Sequence, residues 1–304
     1  MNKEKHAPGM AEYIRALRLP FVTASVFPFI AGSLLVGANF SFMRFVLGLF
    51  AVVSTHLGAN LINDYADSKS GVDWQDKTFY GFFGGSKLIQ ENVLSEKFYL
   101  YGAILCGVIA ALSIGILAIL FGSPEIIGYF LIIIVLGFSY SHKPLQLSYH
   151  RLGEFIIFIL FGCAPVMGAY FIQTQQFSTL EGLCVSLPFG FFTTAILFAN
   201  EVPDFSEDIK AGKRTWISII GEERAYIGYA FIVFLGYTSI VLNFVSGFFG
   251  TISLVALIFA FLSMKATALL KQYPCDKTRL VEASKITIAV QALVSIVIII
   301  GILT

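Results

Sequence analysis

Apolar runs of about twenty residues recur along almost the whole chain. Such a run, wound at 1.5 Å per residue, spans the roughly 30 Å hydrocarbon core of a bilayer. Nine candidates can be read, at about 20–38, 44–63, 98–121, 125–140, 153–173, 180–200, 225–246, 249–270 and 283–303. Only closed barrels and helices satisfy their backbone polar groups in lipid, and runs of this length select helices. The expected fold is an all-α, polytopic membrane bundle of about nine helices. It forms one transmembrane domain over residues 1–304. Charged residues make up 13% of the 304, about half the usual share for a soluble domain, which leaves too little polar surface to face water.

Nine crossings leave alternate loops on opposite sides. Nineteen of the twenty Lys and Arg then fall on the side of the N-terminus, and Arg44 alone lies on the other. The positive-inside rule therefore predicts a cytoplasmic N-terminus and cytoplasmic long loops, in the cell inner membrane. The first segment, Met1–Leu19, is polar and charged, so no cleavable leader is expected. A net charge of +1 gives no reason to expect nucleic-acid binding. The four cysteines are scattered without zinc-like spacing and read as small apolar fillers.

The acidic residues gather on the same side in two clusters. The second run ends in Asn60-Leu-Ile-Asn-Asp64-Tyr-Ala-Asp67, followed by Gly71 and Asp73. The sixth ends in Asn200-Glu-Val-Pro-Asp204-Phe-Ser-Glu-Asp208, followed by Gly212. Both read Asn-x-x-x-Asp-aromatic, 140 residues apart, which suggests an internal repeat with a shared site at its interface. Helical spacing puts Asn60, Asp64 and Asp67 on one stripe, and Asn200, Asp204 and Asp208 on another. Pro203 is expected to break the sixth helix near Ala199. Isolated acids of this kind often just cap helices, but two matched copies at equivalent span ends point to chemistry. Carboxylates on facing walls repel unless cations lie between them. Mg²⁺, which takes a few carboxylates plus phosphate oxygens, suits the pattern, and two ions can bridge a diphosphate.

Basic groups accompany the acids. Lys87 follows Gly84-Gly85-Ser86, a run able to turn its backbone N–H groups toward phosphate. Lys143, Lys213 and Arg214 lie beside motif residues and are candidate diphosphate clamps. Tyr140 could steady an allylic cation with its ring face. Arg18 opens the first run beside Pro20 and is a candidate grip for an acceptor carboxylate, or else a lipid-headgroup anchor. His56, one helical turn before Asn60, either bonds within the bundle or faces the cavity. It is not expected to be catalytic.

With these motifs the chain resembles the UbiA superfamily of intramembrane prenyltransferases, nearest the 1,4-dihydroxy-2-naphthoate branch of menaquinone biosynthesis. The resemblance is carried by Asn60–Asp73, Gly84–Ser95, Tyr140–Glu154 and Asn200–Thr215. It implies a helical bundle around a central cavity, capped by the loops after the second and sixth spans and open sideways to lipid. It implies Mg²⁺-dependent transfer of a prenyl chain from a prenyl diphosphate to a small aromatic acceptor. Asp64, Asp67, Asp204 and Asp208 become metal ligands, with Asp73 an associated acid. A secondary transporter is the main competing class, but it predicts mid-span acids and access from both sides. A CDP-alcohol phosphotransferase would need a D-G-x-x-A-R run, which the chain lacks.

Overall fold

The computed structural model describes residues 8–74, 76–178 and 180–304. Lys3 and Lys5, counted in the charge asymmetry, lie outside them. Among the described residues the regular structure is helical: α1 (Met10–Leu17), α2 (Thr23–Leu34), α3 (Phe42–Ser70), α4 (Glu96–Phe121), α5 (Glu125–Ser141), α6 (Gly153–Phe158), α7 (Ala164–Thr174), α8 (Leu180–Lys210), α9 (Ile217–Ile220), α10 (Ala225–Val245), α11 (Ala260–Gln272) and α12 (Lys277–Ile302). A π-turn at Ile159–Cys163 joins α6 to α7, and a 3₁₀ stretch at Thr251–Phe259 leads into α11.

Seven of the nine expected runs correspond to helical segments long and apolar enough to cross a bilayer. The run at 20–38 falls on a pair of helical segments, Met10–Leu17 and Leu19–Leu34, bent by 44° about Arg18, which passes the same test as one broken span. The run at 125–140 is α5, whose 17 residues fall short of it. A count of nine therefore does not follow from helix length alone.

Two boundaries move. α3 and α8 continue to Ser70 and Lys210, so Asn60–Asp67 is helical as expected, and Asn200–Asp208 is helical too rather than opening into a loop. Pro203 does not break α8. A proline removes one N–H and crowds the carbonyl four residues back. α8, however, is buried along most of its length, with Phe189, Phe192, Phe198, Ala199 and Val202 in the main core. Unwinding it there would orphan several backbone groups in an apolar medium, a larger cost than one missing bond.

Small residues set the helix spacing. A Cβ on Gly162 would lie 2.6 Å from the Cα of Gly190, so the π-turn and α8 touch backbone to backbone. Gly32 packs in the same way onto the backbone of Val166, bringing α2 against α7. At the charge-poor end Gln173 ties α7 to the start of α3: its amide oxygen accepts from the Ser41 N–H and its amide donates to the Ser41 carbonyl, while Arg44 donates to its backbone oxygen.

Candidate active site

The helices enclose a cavity of about 900 Å³. Its deep part is apolar, lined by Phe29, Ala51, Ile114, Ile126, Phe171 and Ile172 among others. Its rim, at the charged end, is built by the ends of α3 and α8, the segment at 76–87, Tyr140 and Lys213.

On α3 the stripe facing the cavity is Asn60, Asn63 and Asp67. Asp64 is not on it. It is 1% exposed, held by the Arg18 guanidinium and by the Ser86 N–H at 3.2 Å. Positions i+3 and i+4 both lie on the face shared by i and i+7, each triplet within an arc of about 60°, so spacing alone does not choose between Asn63 and Asp64. Arg18 therefore grips a carboxylate of its own chain, while its side chain also borders the cavity.

Asp73 and Lys87 form a buried ion pair at 2.8 Å on the cavity wall. Burial pushes the Asp73 carboxyl up, and the Lys87 ammonium opposes that shift. The glycines before Lys87 are needed for their backbone. Gly85 has φ +81°, and a Cβ there would lie 2.9 Å from an Asp73 oxygen. This turn places the Ser86 N–H on Asp64 and the Ser86 hydroxyl 2.6 Å from Tyr99.

On α8, Asn200, Asp204 and Asp208 line the cavity as expected. So does Glu201, which sequence reasoning passed over. It is 3% exposed, and neither carboxylate oxygen accepts a hydrogen bond. The nearest cation is Lys213, 3.7 Å away and bonded to Asp208 at 2.8 Å. Burial pulls the Lys213 ammonium down, but Glu201 and Asp208 outweigh it and hold it well above the ordinary lysine range. Glu201 lies three and seven residues before Asp204 and Asp208, a helical spacing that was available in the sequence. Asn63 and Asp76 were also missed. Lys277 bonds both Asp76 (3.1 Å) and Glu207 (3.0 Å), tying α12 to the two acid-bearing segments.

Two expected clamps are not at the cavity. Lys143 and Arg214 are exposed, and neither is among its lining residues. Arg214 acts through its backbone instead: its N–H donates to Tyr149, and its carbonyl accepts from Arg151. Tyr140 does line the wall.

Among the described residues, no three His, Cys, Asp or Glu side chains come close enough to hold a cation by themselves. The donors present still fit Mg²⁺. Both Glu201 oxygens are buried without a hydrogen bond, Lys213 at 3.7 Å being their one ion-pair partner among the described residues, the Asn200 amide oxygen accepts none either, and Asp67, Asp204 and Asp208 face the same space. Mg²⁺ commonly takes one or two carboxylates and completes its shell with phosphate and water.

The fold and site together define an all-helical integral membrane protein with an apolar chamber rimmed by acid–amide motifs. The chain belongs to the UbiA prenyltransferase family, whose pattern matches residues 25–287. It is 31% identical over 238 residues to the UbiA prenyltransferase domain-containing protein 1 homolog of Drosophila melanogaster, covering 74% of this chain and 62% of that protein. It is 27% identical over 208 residues to the 1,4-dihydroxy-2-naphthoate octaprenyltransferase of Bacillus subtilis, covering 67% and 64%. The match thus spans somewhat under two thirds of either relative. The fold is that of a UbiA homolog from Aeropyrum pernix K1 (TM-score 0.67, 16% identity, 93% and 98% covered). It is also shared with a UbiA homolog from Archaeoglobus fulgidus bound to GPP and Mg²⁺ (TM-score 0.55, 14% identity, 95% and 99% covered).

Proposed function

We propose that this chain transfers a prenyl group from a prenyl diphosphate to a small aromatic acceptor, with 1,4-dihydroxy-2-naphthoate the first candidate. The observation that carries the reading is the division of one cavity into a charged rim and an apolar chamber. A prenyl diphosphate has the same division. The naphthoate assignment is supported by the Bacillus subtilis relative, and Mg²⁺ by the ion and GPP in the Archaeoglobus fulgidus homolog.

In this reading Asp67 with Asn63 and Asn60 on one wall, and Asp204 and Asp208 with Asn200 and Glu201 on the other, hold two Mg²⁺ ions. When bound, Mg²⁺ supplies Lewis-acid charge to the diphosphate leaving group. Lys87 and Lys213 lend further positive charge to the phosphate oxygens as the allylic C–O bond breaks. Arg18 and Ser86 fix Asp64 and so hold the glycine turn that presents Lys87. The apolar wall seats the isoprenoid chain and excludes water from the allylic cation. Tyr140 borders the cation with its ring. The acceptor ring attacks C1, and the displaced group, CO₂ in the case of dihydroxynaphthoate, leaves from the substituted carbon. The charged rim faces the cytoplasm of a cell inner membrane in this proposal.

The test is an incubation of purified protein with labelled prenyl diphosphate, dihydroxynaphthoate and Mg²⁺. The expected result is a prenylated product that disappears in excess EDTA. Full turnover in the chelator, or no transfer with Mg²⁺, overturns the reading.

A further inference from the structure

One polar group inside the chamber has no role in diphosphate binding. His56 sits on α3 one turn deeper than Asn60, lines the cavity, and is 7% exposed. Its Nδ1 lies 2.6 Å from the Ser25 hydroxyl, and its ring stands edge-on to Phe161, another cavity residue, at 5.6 Å and 85°. Its Nε2 is buried without a partner. Two threonine hydroxyls lining the same cavity are also unpaired: Thr55 beside it, and Thr193 on α8, 5% exposed.

The Ser25 contact points to one tautomer. Among the described residues the Ser25 hydroxyl makes no bond other than that to His56. If Nδ1 carried the proton, the buried serine hydrogen would have no acceptor. With the serine O–H donating to Nδ1, both atoms of that contact are satisfied, and the ring proton rests on Nε2, facing the cavity without a protein partner. The ring is thus held by Ser25 and Phe161 with an N–H donor offered to the chamber. Leaving a buried donor unpaired is costly unless a ligand completes it.

We propose that His56, pinned by Ser25, donates its Nε2–H to a ring oxygen of the aromatic acceptor and selects acceptors that carry one. This rests on the prenyl-transfer reading above and adds the acceptor's subsite to it. Asn60 and His56 are four residues apart, about 6 Å along the helix. A ring gripped there lies immediately below the rim, where the allylic carbon of a bound diphosphate must sit. Thr193 is placed to meet a second oxygen from another wall. A site built to bond an oxygen discriminates strongly against the analogue lacking it.

The test compares wild type with His56→Phe, which keeps the ring contact but loses the donor, and His56→Gln, which restores an N–H. Acceptor and donor KM are measured, with inhibition constants for the two naphthoate analogues that each lack one ring hydroxyl. His56→Phe is expected to raise the acceptor KM about tenfold or more, with the donor KM unchanged and partial recovery in His56→Gln. It should leave the inhibition constant of one mono-hydroxy analogue unaltered, the one missing the oxygen that faces His56. An unchanged acceptor KM, or an equal loss for the parent and both analogues, overturns the proposal. Should His56→Phe fail to fold, Ser25→Ala serves. It frees the ring to flip and should raise only the acceptor KM, and no change in that KM counts against the pair. A wild type that accepts no aromatic hydroxy compound overturns the function reading itself, and is scored before any variant.

Discussion

Arg18 and Asp64 decide how the rim is built. Each sits where a charge is expensive, and each is satisfied by the other. Removing one partner of a buried pair leaves the other uncompensated, at about 3–5 kcal/mol. Arg18→Ala should therefore lower thermal stability in detergent and reduce kcat/KM for both substrates. A selective rise in acceptor KM would instead restore Arg18 as the acceptor grip. Arg18→Ala combined with Asp64→Asn should be less damaged than the sum of the single changes, which a double-mutant cycle reads directly. Asp204→Ala should behave differently. Asp204 lines the cavity, and among the described residues no group donates it a hydrogen bond or pairs with it, so activity should fall at least a hundredfold while the melting temperature holds. The two acids look equivalent in the motif, and the sequence could not separate them. Spacing gives the stripe to within one residue, whereas the rotational phase of α3 depends on α1 and the glycine turn, each 20 or more residues from Asp64 along the chain.

The legible elements are those whose signals are local. Apolar runs marked the spans, and two Asn-x-x-x-Asp motifs marked the rim. What local signals could not show is how long a helix persists once tertiary packing supports it. Pro203 reads as a break and is carried through because α8 is the buried axis of the bundle. The turn at Gly84-Gly85 is the opposite case, where a local signal was weak and the structure makes it strong. Gly85→Ala places a Cβ at a positive φ and against Asp73. It should displace Lys87 and lower kcat/KM for the prenyl diphosphate about tenfold or more with little effect on acceptor KM. Equal kinetics for glycine and alanine would show that the turn does not present the lysine. Between elements, Gly162→Val should collapse the yield of folded protein, since its Cβ position lies 2.6 Å from the Gly190 backbone, which cannot yield as a flexible side chain would.

At the scale of the whole molecule, the number of crossings turns on the short helix α5. At 17 residues it is about 25 Å long, a few ångströms short of the hydrocarbon thickness. Contacts at its far end argue that it crosses. The Ser141 hydroxyl donates to Asn63 of the α3 rim at 3.2 Å, and residues 149–151 bond the backbone of Arg214, just past the charged end of α8. The chain following α5 is therefore anchored at the charged end, while the turn preceding it follows α4, whose N-terminus lies at that same end beside Ser68. A short helix accommodates such a mismatch by local thinning or by polar residues at its ends. Single cysteines in a chain cleared of Cys106, Cys163, Cys184 and Cys275 report the outcome. With an impermeant maleimide, Lys143→Cys, exposed beyond the end of α5, should label from the same side as Asn92→Cys, exposed just before α4. Gln176→Cys, exposed after α7, should label only from the other. Labelling of Lys143→Cys from the side opposite Asn92→Cys would mean that α5 does not cross. That would reduce the crossings to an even number and bring both termini to one face of the membrane.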